Sequence, residues 1–565
     1  EKEMVTLRLT KQDGTIVEKS VEKPRYGGTF TFIAQRKPVS FDQGYASSMS
    51  LYPTVYQTND LLARGPWAKG SAGTEEVDFL GSYYPPLAKQ TGGLAESWEL
   101  VEPDTIIYHI RKGVHFGLNP KSEASRLVGG REMTADDVVF SIKRVLEVPT
   151  AQVHLTMAPD TRPKSVEATD KYTVVLKVPP EYLAYVAELI SEMTVIVPHE
   201  VIEKYGDMLD WRVSCGTGPF MLIDYVPDSS TIFEKNPNYW MKDPLHPENQ
   251  LPYISRLNML LIAEPSTKEA AFRTAKVDQL TTVSWEAAEL LNRTNPELKW
   301  VRVINPSPYE IFMRTDTKPF DDKRVRRAMA MAVNNDEIAD EYYGGNAAIL
   351  AFPASPVTGH KDIYTPLEEL PGSVRELFEY HPDKAKQLLA EAGYPNGFKT
   401  NIILYELYVD LASMYAAYWA DIGIDAELVI KEYGVWASMV KKKTYTQMII
   451  RHMSSAANAH KFLTWTPGRT QNLSIIDDQR VNETFTEIQK NYADPAKQSQ
   501  LMKDLIPYML DQCWMLQMPA EYFCTMWWPW VKNYHGERYI GYMATDTFPR
   551  YIWVDQDLRK DMTGR

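Results

Sequence analysis

The sequence predicts an α/β fold, on three observations: period-two apolar strands, helices with recognisable start and stop signals, and alternation of the two along all 565 residues. In residues 171–178, Tyr172, Val174, Leu176 and Val178 fall on one side, and Lys171, Thr173 and Lys177 on the other. Residues 104–111 repeat the pattern with Ile106, Tyr108 and Ile110 inward, and residues 256–261 with Leu257, Met259 and Leu261. Thr134 with Asp137 three residues on makes a capping box, followed by a stripe of Val138, Val139, Ile142, Val145 and Leu146 that stops at Pro149. A second helix is predicted from residues 321–322, burying Val325, Ala328, Met329 and Ala332. A third has Pro382 in its first turn, Leu388 and Leu389 inside, and Gly393 at its C-terminal cap.

The length exceeds one ordinary domain, and 44% hydrophobic with 24% charged residues is globular composition. With 61 Lys+Arg against 74 Asp+Glu the formal net charge is −13, which argues against nucleic acid and anionic membrane surfaces as partners. No apolar run reaches the roughly 18 residues of a membrane span. The sequence opens at Glu1-Lys2-Glu3, with neither a start Met nor an export signal, which fits a cytosolic protein or a processed export product. Three cysteines leave at least one thiol unpaired; Cys513 and Cys524 could pair across a turn, or all three could be buried thiols. The unusual feature is the aromatic content, 14 Trp, 33 Tyr and 18 Phe, enough to fill a core and also to floor a cleft.

Residues 1–23 read as an added hairpin: a strand over 4–9, a turn at Asp13-Gly14, a return over 15–17, then a charged lead into the main fold. The glycines of the segment 216–219 suit a tight turn, and the Gly/Lys spacing of a phosphate-binding loop is absent. Lys323, Arg324, Arg326 and Arg327 read as a solvated helix face. No serine-nucleophile elbow or His-Glu-x-x-His appears, so an enzyme is not expected; a secreted hydrolase with two facing carboxylates is the opposing reading. The ten histidines include no close pair at helical ligand spacing, so neither metal nor other cofactor is expected.

Seven segments resemble, in order, the dipeptide, oligopeptide and nickel type of importer binding proteins, the extracellular solute-binding protein family 5: GLAESWE at 93–99, YHIRKGVHF at 108–116, MTADDVVFSIKR at 133–144, GTGPF at 216–220, NPNYW at 236–240, PFDDKRVRRA at 319–328 and AKQLLAEAGY at 385–394. The resemblance implies a two-lobed fold of the periplasmic-binding-protein type II kind. Lobe 1 would comprise residues 24–304 and 519–565, with a subdomain inserted at about 45–195; lobe 2 would comprise 305–518. The crossings are expected near 303–308, where Pro306 and Pro308 break a strand, and near 515–521. It further implies a monomeric, periplasmic or extracellular protein, lipid-anchored or free. Such a protein hands a small molecule to the permease subunits of an ABC importer after hinge closure; a sensory relative would use the same fold.

Peptide binders of this family hold the peptide ammonium with an aspartate, in a segment that corresponds here to residues 451–463. Phe462-Leu463 sets the register, which puts Ser455 in the aspartate's place and His452 in that of a tryptophan; residues 451–461 contain no acid. A buried ammonium without a carboxylate is costly. Neutral groups remain, Ser454, Ser455 and Asn458, with His452, His460, Trp465 and Arg469 nearby. They favour an oligosaccharide or similar neutral polar ligand, with an oligopeptide as the alternative if Asp42 or Glu432 reaches its amine. The expected ligand-binding residues are Phe41, Asp42, Trp285, Trp436, His452, Ser455, Asn458 and Trp465; for Trp285 and Trp436 core packing is the competing explanation.

Overall fold

A computed structural model describes residues 2–34, 37–45, 52–81, 87–305, 307–455, 464–541 and 544–564. The chain forms two units, Glu1–Val303 with Phe523–Arg565, and Ile304–Tyr522.

In the first unit, β1 (Met4–Thr10) pairs antiparallel with β2 (Ile16–Glu22) around Gly14, whose φ of 85° suits glycine. The return strand runs further than the sequence suggested, because Val21 faces Val5 and Glu22 anchors Lys2 and Lys532. The main sheet is built on β3 (Thr29–Ile33). A second sheet has the order β4 (Ala95–Val101), β5 (Thr105–Ile110), β7 (Thr173–Lys177), β6 (Ser165–Asp170), all antiparallel. As the alternation predicts, Ile106, Tyr108, Ile110, Val174 and Leu176 are all buried. Between β5 and β6 lies α1 (Ala135–Glu147), which carries the capping box of Thr134 and Asp137. It is followed by α2 (Leu183–Met193), which is buried along its whole length.

The chain then re-enters the main sheet with β8 (Phe220–Val226), β9 (Ser230–Lys235), β10 (Arg256–Leu260) and β11 (Gln279–Val283). After α3 (Trp285–Thr294) it leaves through β12 (Lys299–Ile304). β3 pairs parallel with both β10 and β11. The turn expected at 216–219 is a close approach: a Cβ on Gly216 would lie 2.2 Å from the Thr58 carbonyl, and one on Gly218 2.5 Å from the Asn59 amide.

The second unit contains β13 (Tyr309–Met313), α4 (Lys323–Met331), α5 (Pro382–Glu391), β14 (Phe398–Leu404), α6 (Val409–Asp421), β15 (Ile424–Ile430), α7 (Tyr433–Lys442), β16 (Met448–His452), α8 (Gln479–Lys490), α9 (Pro495–Gln512) and β17 (Met515–Gln517). The sheet order is β15-β14-β16-β13-β17, with β14 parallel to both β15 and β16. The helix starts read from Asp322 and Pro382 are observed. Arg326, expected in solvent, is only 4% exposed; it donates to the carbonyls of Phe320, Gln512 and Cys513 and ties α4 to the end of α9. The remaining basic side chains of that helix are neutralised: Lys323 and Arg327 by Asp511, and Arg324 by Asp322.

The second passage between units falls inside β18 (Ala520–Trp527), later than expected. Its first residues still pair with Ala347 and Ala348 of the second unit before Cys524 joins Val283 of the first. Cys215, Cys513 and Cys524 are buried free thiols, and burial pushes Cys215 up to about 12. No described helix is long and apolar enough to cross a membrane.

Candidate functional site

In the second unit, β14 has β15 on one side and β16 on the other, so the strand order reverses there. In open α/β sheets, ligands bind outside the carboxyl ends of the strands at such a reversal. The carboxyl end of β14 leads to Tyr405 and Tyr408, and that of β16 to Arg451, His452, Ser454 and Ser455.

An aromatic cluster fills this end. The Tyr405 ring lies 4.6 Å from Tyr408, 4.8 Å from Trp436 and 5.3 Å from Tyr433. Tyr309, which pairs with His452 across the β13–β16 ladder, meets Tyr408 edge-on at 5.2 Å. The Tyr408 hydroxyl is 3.0 Å from His452 Nδ1. The cluster grades from buried Tyr408 and Trp436 to Tyr433, which is 56% exposed. Burial raises the Tyr309 phenol to about 12, so it stays protonated at neutral pH.

Several expected ligand contacts are spent inside the protein. Trp436 is 4% exposed, and its Nε1 donates to the Ile450 carbonyl; it supports the tyrosines and is no open stacking face. Ser455 is 1% exposed, and its hydroxyl is 3.0 Å from that of Ser355, which in turn is 3.0 Å from His360 Nδ1. Because the Ser355 amide also donates to Nδ1, that nitrogen is the acceptor and the ring is neutral; burial lowers the His360 pKa to about 4. Trp465 is 1% exposed and packs edge-on against Phe352. His452 is half-buried at the strand end, and Ser454 bonds to Ser307 at 2.9 Å. Asn458 and His460 lie outside the described residues. Glu432, one of the two acids considered for a ligand amine, caps α7 by accepting from the Gly434 and Val435 amides.

The other acid, Asp42, belongs to the first unit and is fully buried. It accepts two bonds from Arg144, at 2.7 and 2.6 Å, and one each from the Gly44 and Met208 amides. All its lone pairs are used, so Asp42 is a structural residue and not a ligand contact. Its neighbour Phe41 is half-buried against Tyr225, 5.0 Å away. Trp285 begins α3 half-buried, behind the Ser284 cap. Asp278 is fully buried and accepts from the Thr31 amide and Trp530 Nε1. Among the described residues, Asp137, His199 and Glu200 offer a three-ligand cluster, and the Arg131 guanidinium already bridges its two acids at 2.6 Å each.

Sequence reasoning looked for tryptophans and missed Tyr309, Tyr405, Tyr408 and Tyr433. The surplus of 33 tyrosines was the available signal, and only the fold gathers these four.

The family model described as "Bacterial extracellular solute-binding proteins, family 5 Middle" matches residues 89–473. The chain is 28% identical over 466 residues to heme-binding protein A of Haemophilus influenzae, covering 78% of this chain and 77% of that one. It is also 28% identical over 382 residues to di/tripeptide-binding protein 1 of Pseudomonas aeruginosa, covering 63% and 66%. Among solved structures, it resembles the periplasmic binding protein DppA of Helicobacter pylori in complex with the peptide STSA. The TM-score is 0.71 and the identity 20%, over 94% of this chain and 99% of that one.

Proposed function

We propose that this chain, which belongs to the family 5 bacterial extracellular solute-binding proteins, is the periplasmic ligand-capturing subunit of an ABC importer and takes a short peptide or peptide-like solute. The family match over residues 89–473 is the observation that carries this reading. Two separately cored units joined by two chain passages suit capture by hinge closure.

The relatives favour a peptide over an oligosaccharide. One is named for di- and tripeptides, one for heme, and one structural neighbour holds a tetrapeptide. An aromatic site with hydroxyl and imidazole groups suits flat or apolar side chains on a polar backbone. The peptide ammonium needs another partner here than in other peptide binders: Ser455, Glu432 and Asp42 are all committed elsewhere.

A thermal-shift screen of di- to tetrapeptides, oligosaccharides and heme tests the reading, because a ligand that binds only the native state raises the melting temperature by mass action. Stabilisation by peptides, which are recovered unchanged, supports it. Stabilisation by oligosaccharides alone restores the other ligand class, and turnover of any of them makes the protein an enzyme.

A further inference from the structure

At the end of β16, residues 451–455 carry one full charge, and it is positive. Arg451 is half-buried, directly opposite Glu310 in the β13–β16 ladder. Glu310 is fully buried and accepts from the Met453 amide. The Arg451 guanidinium donates no hydrogen bond and closes no ion pair among the described residues; its electrostatic neighbours are Tyr408, Glu310, Tyr433 and Tyr445. Burial lowers its pKa. A guanidinium has five N–H donors in a planar fork, and this half-buried one, engaged by no acceptor among the described residues, leaves those donors to solvent or to a bound anion. Arg326 and Arg131 in the same protein show the usual solution, with every face of the fork engaged by carbonyls or carboxylates.

We propose that Arg451 is a carboxylate-binding residue. It would receive an acidic group of the ligand at the carboxyl end of β16 while the ligand's apolar body lies on the tyrosines. Arg fits a carboxylate bidentately, and the two parallel bonds are charge-assisted. The body of such a ligand has a surface to meet: Tyr433 is 56% exposed, Leu407 58%, Ile430 55% and Val435 50%, all at the same end of the sheet. This inference rests on the proposed solute-binding role and refines it. The second unit would select its ligand by a carboxylate, where an acidic residue at position 455 would have selected an amine. The carboxylate would be a peptide C-terminus or an acidic side chain.

Titration calorimetry on the full chain decides it, with wild type, Arg451→Gln and Arg451→Lys. The probes are Ser-Thr-Ser-Ala, its C-terminal amide, the amide of Ser-Glu-Ser-Ala, and the pair phenylacetate and phenylacetamide. We expect each carboxylate probe to bind wild type at least about ten-fold more tightly than the matching probe that lacks that carboxylate, the amide of Ser-Thr-Ser-Ala serving as the match for both peptides. The gap should close in Arg451→Gln and partly persist in Arg451→Lys. Tighter binding of the amidated glutamate peptide than of the free tetrapeptide identifies a side-chain acid as the group recognised. Equal binding of acid and amide, or a gap unchanged in Arg451→Gln, overturns the role of Arg451 even if peptides bind. If no peptide binds but phenylacetate outcompetes its amide through Arg451, the anion site stands and the peptide reading falls. Matching melting curves confirm that the variants fold.

Discussion

The hydroxyl of Ser455 lies 3.0 Å from that of Ser355, 100 residues earlier, and both side chains are 1% exposed. Ser355 continues the chain to His360 Nδ1 at 3.0 Å, so polar groups from two distant segments satisfy one another at the end of β16. Position 455, which the register set by Phe462-Leu463 matched to the ammonium-holding acid of peptide binders, is here bonded to Ser355.

Ser455→Asp is therefore expected to lower stability by about 1–3 kcal/mol, because a carboxylate would be buried beside a neutral imidazole. It should give no new affinity for amine-bearing peptides. Urea unfolding and calorimetry with Ser-Thr-Ser-Ala check both halves; a variant of wild-type stability that gains peptide affinity would show that the site of Ser455 is open to ligand.

His360 gives a pH dependence of defined sign. Its folded-state pKa is about 4, against 6.5 unfolded. Between those values the unfolded chain binds a proton that the native state does not, so stability falls as pH drops from about 6.5 to about 4, by about 1.4 kcal/mol per unit at most. Comparing unfolding free energies of wild type and His360→Gln across this range isolates the contribution; identical pH slopes would exclude it.

Trp436→Ala is expected to cost about 3–5 kcal/mol, as for a large buried aromatic side chain, since it removes the support of Tyr405, Tyr408 and Tyr433 and the bond to the Ile450 carbonyl. Chemical denaturation measures this. A melting temperature near that of wild type with loss of ligand affinity would assign Trp436 to ligand stacking.

Arg144→Ala should cost about 3–5 kcal/mol by leaving Asp42 charged and buried without its guanidinium. Ligand affinity, measured at a temperature where the variant is folded, should stay within about two-fold of wild type, because neither member of the pair is free to reach a ligand.

The α/β class, the capping box at Thr134 and the buried faces of the strands were legible because they are local: a period of two or 3.6 and a cap within four residues are written in neighbouring positions. The order of seven short segments likewise identified the family, since it depends on sequence alone. The roles of individual site residues were not legible. Asp42 and Arg144 lie 102 residues apart, Ser455 and Ser355 lie 100 apart, and Tyr309 reaches Tyr408 only through the sheet. Whether an acid is spent on a helix cap, a buried ion pair or a ligand depends on which donors the tertiary fold brings within about 3 Å, and chain order does not encode that distance.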